Sequence, residues 1–308
     1  MKALSEAVED YLAVRRSLGF KLTAHGRLLA DFVEYLEATG TTTVTTAAAV
    51  AWAIQPQDAS PRWWAHRLGV VRGFAAHLHA FDPAAEVPPK ELLACPSHRT
   101  EPHLYSDAEV AALMAEARAL HPALRGATYE TLIGLIAVCG LRPGEALRLD
   151  RGDVDWAEGV VRIVGTKFGK SRDVPVQPAT LEALGDYGRL RDQRWPEPRS
   201  ASFFVSTAGT RPAHRTLDWT FRNLLRPAGI TWPSHRRSPR LHDLRHSFAV
   251  KTVVGWYRAD LDVEARLPLL STYLGHSNPS HTYWYLSACP ELLSLAAGRR
   301  EQAKEGCS

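Results

Sequence analysis

The 308-residue chain has only four cysteines, Cys95, Cys139, Cys289 and Cys307, and no two of them form a Cys-x-x-Cys pair. Such spacing excludes the common structural zinc sites and a disulfide framework, and it fits a reducing compartment. No apolar run approaches the roughly 18 residues that cross a bilayer. The first ten residues are too acidic and too periodic for a signal peptide, so the sequence predicts a cytoplasmic protein with no membrane partner. A Gly-x-x-x-x-Gly-Lys-Ser/Thr loop is also missing, which excludes nucleotide hydrolysis through that motif. No internal repeat or low-complexity tract is present. A large excess of one charge is absent too: 37 Lys/Arg against 33 Asp/Glu leave a net +4.

The chain does have length and apolar content enough for two cores, at 45% hydrophobic residues. Its small net charge is unevenly spread. Residues 1–104 hold 10 basic and 11 acidic residues, so the remainder carries 27 against 22. Within that remainder, 211–245 contains Arg211, Arg215, Arg222, Arg226, Arg236, Arg237, Arg240 and Arg245 against only Asp218 and Asp243. An arginine cluster suits phosphate, because the planar guanidinium binds it bidentately. A solvated basic loop is the plainer reading of the same stretch.

Apolar periodicity predicts helices over 3–18, around 28–36 up to Gly40, over 47–54 and over 61–78. Together they make a small all-helical unit over 1–82. Five prolines between 83 and 102 forbid a continuous helix, and 83–104 reads as an interdomain linker. A second domain, 105–308, opens with Ser106-Asp-Ala-Glu, a helix N-cap signature. An apolar helix over 128–139 follows and ends at Gly140. The β-branched runs 160–164 and 173–176 flank Gly165-Thr-Lys-Phe-Gly-Lys-Ser-Arg, which suggests a hairpin, and 203–205 reads as a third strand. Helices are expected over 181–191 and around 216–226, 242–257, 266–274, 279–287 and 290–300. The fold class is therefore mainly α with a small β-sheet, in two domains.

Four fragments carry groups suited to phosphodiester chemistry. In Gly140-Leu-Arg-Pro-Gly-Glu, Arg142 stands at a turn and Glu145 is placed to orient its guanidinium; a surface arginine in a Gly/Pro turn is the alternative. Lys167 lies at the tip of the predicted hairpin, with Lys170 and Arg172 behind it, where a lysine delivers a proton or is merely solvated. In Leu241-His-Asp-Leu-Arg-His, His242 and Arg245 are three apart and share a helical face. In Leu274-Gly-His-Ser-Asn-Pro-Ser-His-Thr-Tyr-Trp-Tyr-Leu, His276 precedes a cluster of aromatic residues.

In this order, Arg142, Lys167, His242-x-x-Arg245, His276 and a late tyrosine resemble the tyrosine recombinase (phage integrase) family. The resemblance covers about 105–300 by motif, and the N-terminal unit is similar by type to the family's core-binding domain, making 105–308 an α+β catalytic domain. It implies a site-specific recombinase that cleaves and rejoins DNA through a 3′-phosphotyrosyl intermediate, in integration, excision or transposition. The family's nucleophile usually lies nine residues after the Leu-Gly-His histidine, which selects Tyr285. Tyr283, two residues away, would face about 160° from it on a helix, and Tyr283 and Tyr273 read as packing aromatics. Arg142, Lys167, His242, Arg245, His276 and Tyr285 are thus the implied catalytic residues, with no cofactor, metal or ATP required. Double-stranded DNA at specific sites is the implied partner, bound by a homotetramer coupled through a C-terminal helix over 290–300. The resemblance also leaves room for sibling recombinases or DNA-bending proteins as further partners, and implies work at a cytoplasmic nucleoid.

Two features depart from the usual family pattern. The interval from Arg245 to His276 is longer, and Leu-Ser-Ala-Cys-Pro-Glu-Leu-Leu follows Tyr285 where His-Val is common. Three rival readings fit parts of the same pattern. A type IB topoisomerase shares the attack chemistry, and a silent DNA-binding accessory protein shares the charge. A zinc hydrolase would use His242 and His246, with His276 as third ligand, but Arg245 between them repels a cation.

Overall fold

The computed structural model of the chain describes residues 3–93, 101–165, 171–234 and 236–275. By its internal packing the chain divides into two compact units, Met1–Arg99 and Thr100–Ser308. The described residues are mostly helical, with one three-stranded sheet. No helix among the described residues is long and apolar enough to cross a membrane.

The described part of the first unit contains α1 (Leu4–Ser17), α2 (Thr23–Ala38), α3 (Thr46–Ile54) and α4 (Pro61–His79). Helices α3 and α4 start where local chemistry dictates. The Thr45 hydroxyl accepts the Ala48 N–H at the start of α3, and Pro61 occupies the first turn of α4, where its missing N–H costs nothing. Leu29, Phe32, Leu36, Trp52, Leu68, Val71 and Phe74 fill the core. The buried Arg67 lays its guanidinium 3.7 Å from the Trp52 ring centroid and donates to the Trp52 carbonyl. Of the segment expected to be linker, 85–89 is tied to this unit. Glu86 accepts the Thr46 N–H, His79 pairs with the Ala85 carbonyl, and Arg72 donates to the carbonyls of Pro88 and Pro89.

The described part of the second unit runs α5 (Asp107–Arg118), α6 (Ala123–Cys139), α7 (Pro143–Arg148), β1 (Val154–Asp155), β2 (Val160–Ile163), β3 (Arg172–Pro175), α8 (Pro178–Arg194), α9 (His214–Leu225), α10 (Asp243–Arg258) and α11 (Val263–Leu274). Ser106 and Glu109 form a reciprocal capping box at α5. The core gathers around α6, whose Leu132, Ile133 and Ile136 are fully enclosed. The sheet is antiparallel in the order β1-β2-β3, with Val161 opposite Val174 and Ile163 opposite Arg172.

The expected third strand over 203–205 does not form. Phe203, Phe204 and Val205 are buried, but their backbone is satisfied outside any ladder. The Phe203 N–H donates to the Leu149 carbonyl and the Val205 N–H to the Tyr187 hydroxyl. A run of β-branched and aromatic residues has become a core plug, because burial rather than strand propensity governs it. The third strand is instead the two-residue β1, which the sequence pattern did not reveal. Helix α6 begins five residues ahead of its expected start at 128 and α11 three ahead of 266, the latter because the Asp262 carboxylate caps the Ala265 N–H. The helices expected around 279–287 and over 290–300 lie outside the described residues.

Candidate active site

Helix α6 must stop before Arg142 for that side chain to be presented, and Gly140 stops it. Its φ is +61°, and a Cβ there would overlap the Phe248 ring. The chain then turns through buried Leu141, and Arg142 becomes the residue preceding α7, with Pro143 in the first turn. Glu145, one turn in, reaches back. Its Oε2 accepts the Arg142 backbone N–H at 3.0 Å, and its Oε1 accepts Nη1 of the same guanidinium at 2.6 Å. The Glu145 side chain is 2% exposed and that of Arg142 is 35% exposed. A buried carboxylate thus aims a half-open guanidinium.

A second guanidinium shares that carboxylate. Arg172, the first residue of β3, donates through Nη2 to Glu145 Oε2 at 2.8 Å and through Nη1 to Oε1 at 3.3 Å. Burial alone would raise the Glu145 pKa. The Arg172 hydrogen bond and charge, followed by the Arg142 N–H and guanidinium, overcome it and hold the carboxyl down at about 2. Glu145 is therefore ionised across the physiological range.

The third arginine is the most enclosed. Arg245, in the first turn of α10, is 1% exposed. Its Nη1 donates to the Gly140 carbonyl at 2.8 Å and its Nη2 to the Leu274 carbonyl at 2.5 Å. The last carbonyls of a helix have no partner within it and carry its negative dipole end. At α11 three of them are taken in succession: Tyr273 O by Arg172 Nε at 2.7 Å, Leu274 O by Arg245, and Gly275 O by Arg142 Nη2 at 2.9 Å. Three arginines from three elements thus converge on one helix end.

His242 immediately precedes α10, beside Arg245. Desolvation, then the charges of Arg245, Arg240 and Arg142, push its pKa down to about 4, against the opposing pull of Asp243. The imidazole is neutral at pH 7, so it can accept a proton. Its ring lies edge-on to His246, with centroids 4.9 Å apart. The buried Asp243 carboxylate holds Arg240 through its backbone N–H and guanidinium, and Ser247 ties the Asp243 carbonyl to the Tyr105 N–H.

Of the residues selected from sequence, Arg142, His242 and Arg245 are placed together in this way. Lys167, His276 and Tyr285 lie outside the described residues, as do Lys170 and Tyr283. Tyr273 is a packing residue, its ring stacked on Phe248 with centroids 5.7 Å apart. The arginine-rich stretch divides. Arg211 binds the Leu147 carbonyl and Asp150, Arg236 pairs with Glu101, Arg240 with Asp243, and Arg245 is buried. Arg215, Arg222, Arg226 and Arg237 are exposed. Sequence reasoning missed the part played by Arg172. A signal was present: on β3 it has the same parity as buried Val174, and a charged residue on the inward side of a strand needs a partner.

Residues 104–291 match the model of the Phage integrase family. A protein of Sinorhizobium fredii described as "Putative integrase/recombinase y4rB" is 43% identical over 311 residues, covering 99% of each chain. Tyrosine recombinase XerC of Rhodospirillum centenum is 34% identical over 234 residues, 75% of this chain and 60% of that one. Among solved structures, XerH site-specific recombinase bound to a palindromic difH substrate matches with a TM-score of 0.65 at 18% identity, over 90% of this chain and 79% of that one. The Tn1549 transposon integrase with transposon right-end DNA matches at 0.63 and 15% identity, over 96% and 98%.

Proposed function

Because the chain belongs to the phage integrase family of tyrosine recombinases, we propose that it is a site-specific DNA recombinase that breaks and rejoins strands through a phosphotyrosine at Tyr285. The Tyr285 hydroxyl attacks the scissile phosphate, giving a 3′-phosphotyrosyl bond and a free 5′-hydroxyl. Arg142 and Arg245 stabilise the charge that builds on the nonbridging oxygens. His242, neutral beside them, takes the tyrosine proton, Lys167 gives a proton to the departing 5′-oxygen, and His276 donates to the phosphate. In the second half the 5′-hydroxyl of another strand attacks the phosphotyrosine and releases the enzyme. The phosphodiester energy stays in the covalent bond, and the side chains supply the positive charge, so the reaction draws on neither metal nor ATP.

The observation that carries this reading is the convergence of Arg142 and Arg245 beside a neutral His242. Arg142, aimed by Glu145 and 35% exposed, is already oriented when a phosphate arrives, which keeps reorganisation small. The DNA is double-stranded, and the active assembly on it is a tetramer, with sibling recombinases or DNA-bending proteins as further components. The work is done in the cytoplasm, at the nucleoid. Type IB topoisomerase-like DNA relaxation or a silent DNA-binding accessory protein is not favoured, given relatives along nearly the whole chain that carry integrase or recombinase names.

The test uses nicked duplexes with a randomised centre. After incubation and denaturation, protein-linked DNA is recovered and sequenced. The wild type enriches a discrete site in covalent form, and Tyr285→Phe recovers none while still shifting the enriched duplex in a gel. A persistent adduct with phenylalanine at 285 overturns the nucleophile, and no adduct with the wild type overturns the function.

A further inference from the structure

We propose that Arg172 is a positioning residue of the cleavage reaction, tying the Glu145 carboxylate that aims Arg142 to the Tyr273 carbonyl in the last turn of α11. The inference rests on the recombinase reading for the reaction it serves, and on its own geometry for the tie.

Four observations carry it. Arg172 fills both ends of a fork: Nη1 and Nη2 lie on Glu145, and Nε lies on Tyr273 O at 2.7 Å. The carboxylate it holds also holds Arg142 by both backbone and side chain. The Arg172 side chain is only 14% exposed, against 35% for Arg142, so it braces the site while Arg142 faces outward. Finally, the approach at Gly275 is close. A Cβ there would come within 2.9 Å of Arg172 Nη1 and 3.6 Å of Arg142 Nη1, at a φ of +66°. Glycine lets the chain pass both guanidiniums immediately before His276.

The physical consequence is a shared frame. Without Arg172, Glu145 is a buried carboxylate with one cationic partner in place of two, and the last turn of α11 loses its link to β3. Arg142 then samples more orientations, and the segment that leads from α11 to His276 loses a fixed starting point. The chemistry needs the guanidinium placed to within about half an ångström of the geometry that meets the developing charge. A lysine at 172 keeps the charge but not the planar fork, and cannot reach both partners.

The experiment compares wild type, Arg172→Gln and Arg172→Lys on the duplex that the wild type enriches, as single-turnover adduct formation. Both variants are expected to bind that duplex within about threefold of wild type, since Arg172 itself meets no phosphate. Both should form adduct about 100-fold more slowly, the scale of a misplaced catalytic group. A methylphosphonate at the scissile position removes the charge that Arg142 neutralises, so the ratio of variant to wild-type rate should move to within about tenfold. An equal ratio on both substrates overturns the positioning role and leaves a merely structural one. In a Glu145→Gln background, Arg172→Gln should cost less than about threefold more, because the two act as a unit; a full multiplicative loss overturns it. A DNA-free readout stands apart from the function. Hydrogen exchange at the amides of 272–275 should quicken in both variants, and unchanged exchange overturns the tie. A wild type that makes no adduct with any duplex overturns the recombinase reading instead, with the exchange result still deciding the geometry.

Discussion

Arg245 donates to the carbonyl of Gly140 at 2.8 Å, so the first turn of α10 is fastened to the left-handed residue that ends α6, 105 positions earlier. Arg245 and the turn presenting Arg142 are thus parts of one joint. Because the Arg245 side chain is enclosed, its removal leaves two carbonyl acceptors unmatched. Arg245→Ala should lower stability by about 3 kcal/mol, measured by urea denaturation, as well as abolish adduct formation. A variant as stable as the wild type would show that the buried bonds contribute nothing net.

Gly140 itself gives a second prediction. Gly140→Ala imposes a left-handed conformation on a residue with a Cβ, at about 1–2 kcal/mol, and drives that Cβ into the Phe248 ring. Pairing it with Phe248→Ala should recover the steric part and leave the backbone part. Additive losses in the double variant, read by denaturation, would refute the clash.

Acid should act on the site in two separable steps. The folded-state pKa of His242 is depressed to about 4 from 6.5, so the unfolded chain binds its proton first and stability falls as pH drops through that window. The loss from this group between pH 7 and 5 should be about 2 kcal/mol, and His242→Gln should remove it. Glu145 titrates lower. Its pKa of about 2 against 4.5 means that its contribution is complete above pH 4.5 and is lost as pH falls towards 2. Glu145→Gln should therefore flatten the dependence below pH 4.5 and leave the higher step in place. Denaturation midpoints across pH 2–8 check both.

Salt distinguishes two kinds of arginine. DNA affinity should fall steeply as salt rises, by about 0.9 in log–log slope for each phosphate neutralised. Arg211→Gln should leave that slope unchanged while lowering stability by about 1 kcal/mol, because its guanidinium is spent on Leu147 O and Asp150. A shallower slope for this variant in a binding titration would place Arg211 on the DNA.

Much of the fold was legible because the signals were local. The Ser106–Glu109 capping box, the apolar periods of α1 to α4 and the Gly140 stop all act over a turn or two of chain. Arg142, His242 and Arg245 were legible because short motifs carry them. Arg172 was not, since its partners lie 27 and 101 positions away; its inward parity on β3 calls for a partner without saying which. Phe203-Phe204-Val205 misled for a related reason: a β-rich triad looks the same whether it joins a ladder or plugs a core, and only the Tyr187 hydroxyl and the Leu149 carbonyl decide.

The long interval between Arg245 and His276 takes on a simple meaning from the end of α11. The three arginines bind the carbonyls of residues 273–275, at the end of that helix. What the site registers is the terminus of α11, not the distance travelled to reach it. The exposed turn at 258–260, where Asp260 adopts a φ of +55°, can therefore absorb slack. Residues inserted there lengthen a tether whose far end is already anchored, whereas a single residue added inside the last turn of α11 would rotate every carbonyl out of its arginine's reach by about 100°. Chain length is free at the 258–260 turn and quantised in the last turn of α11, which makes the 258–260 turn the natural place to attach a probe or a fused domain without disturbing the chemistry.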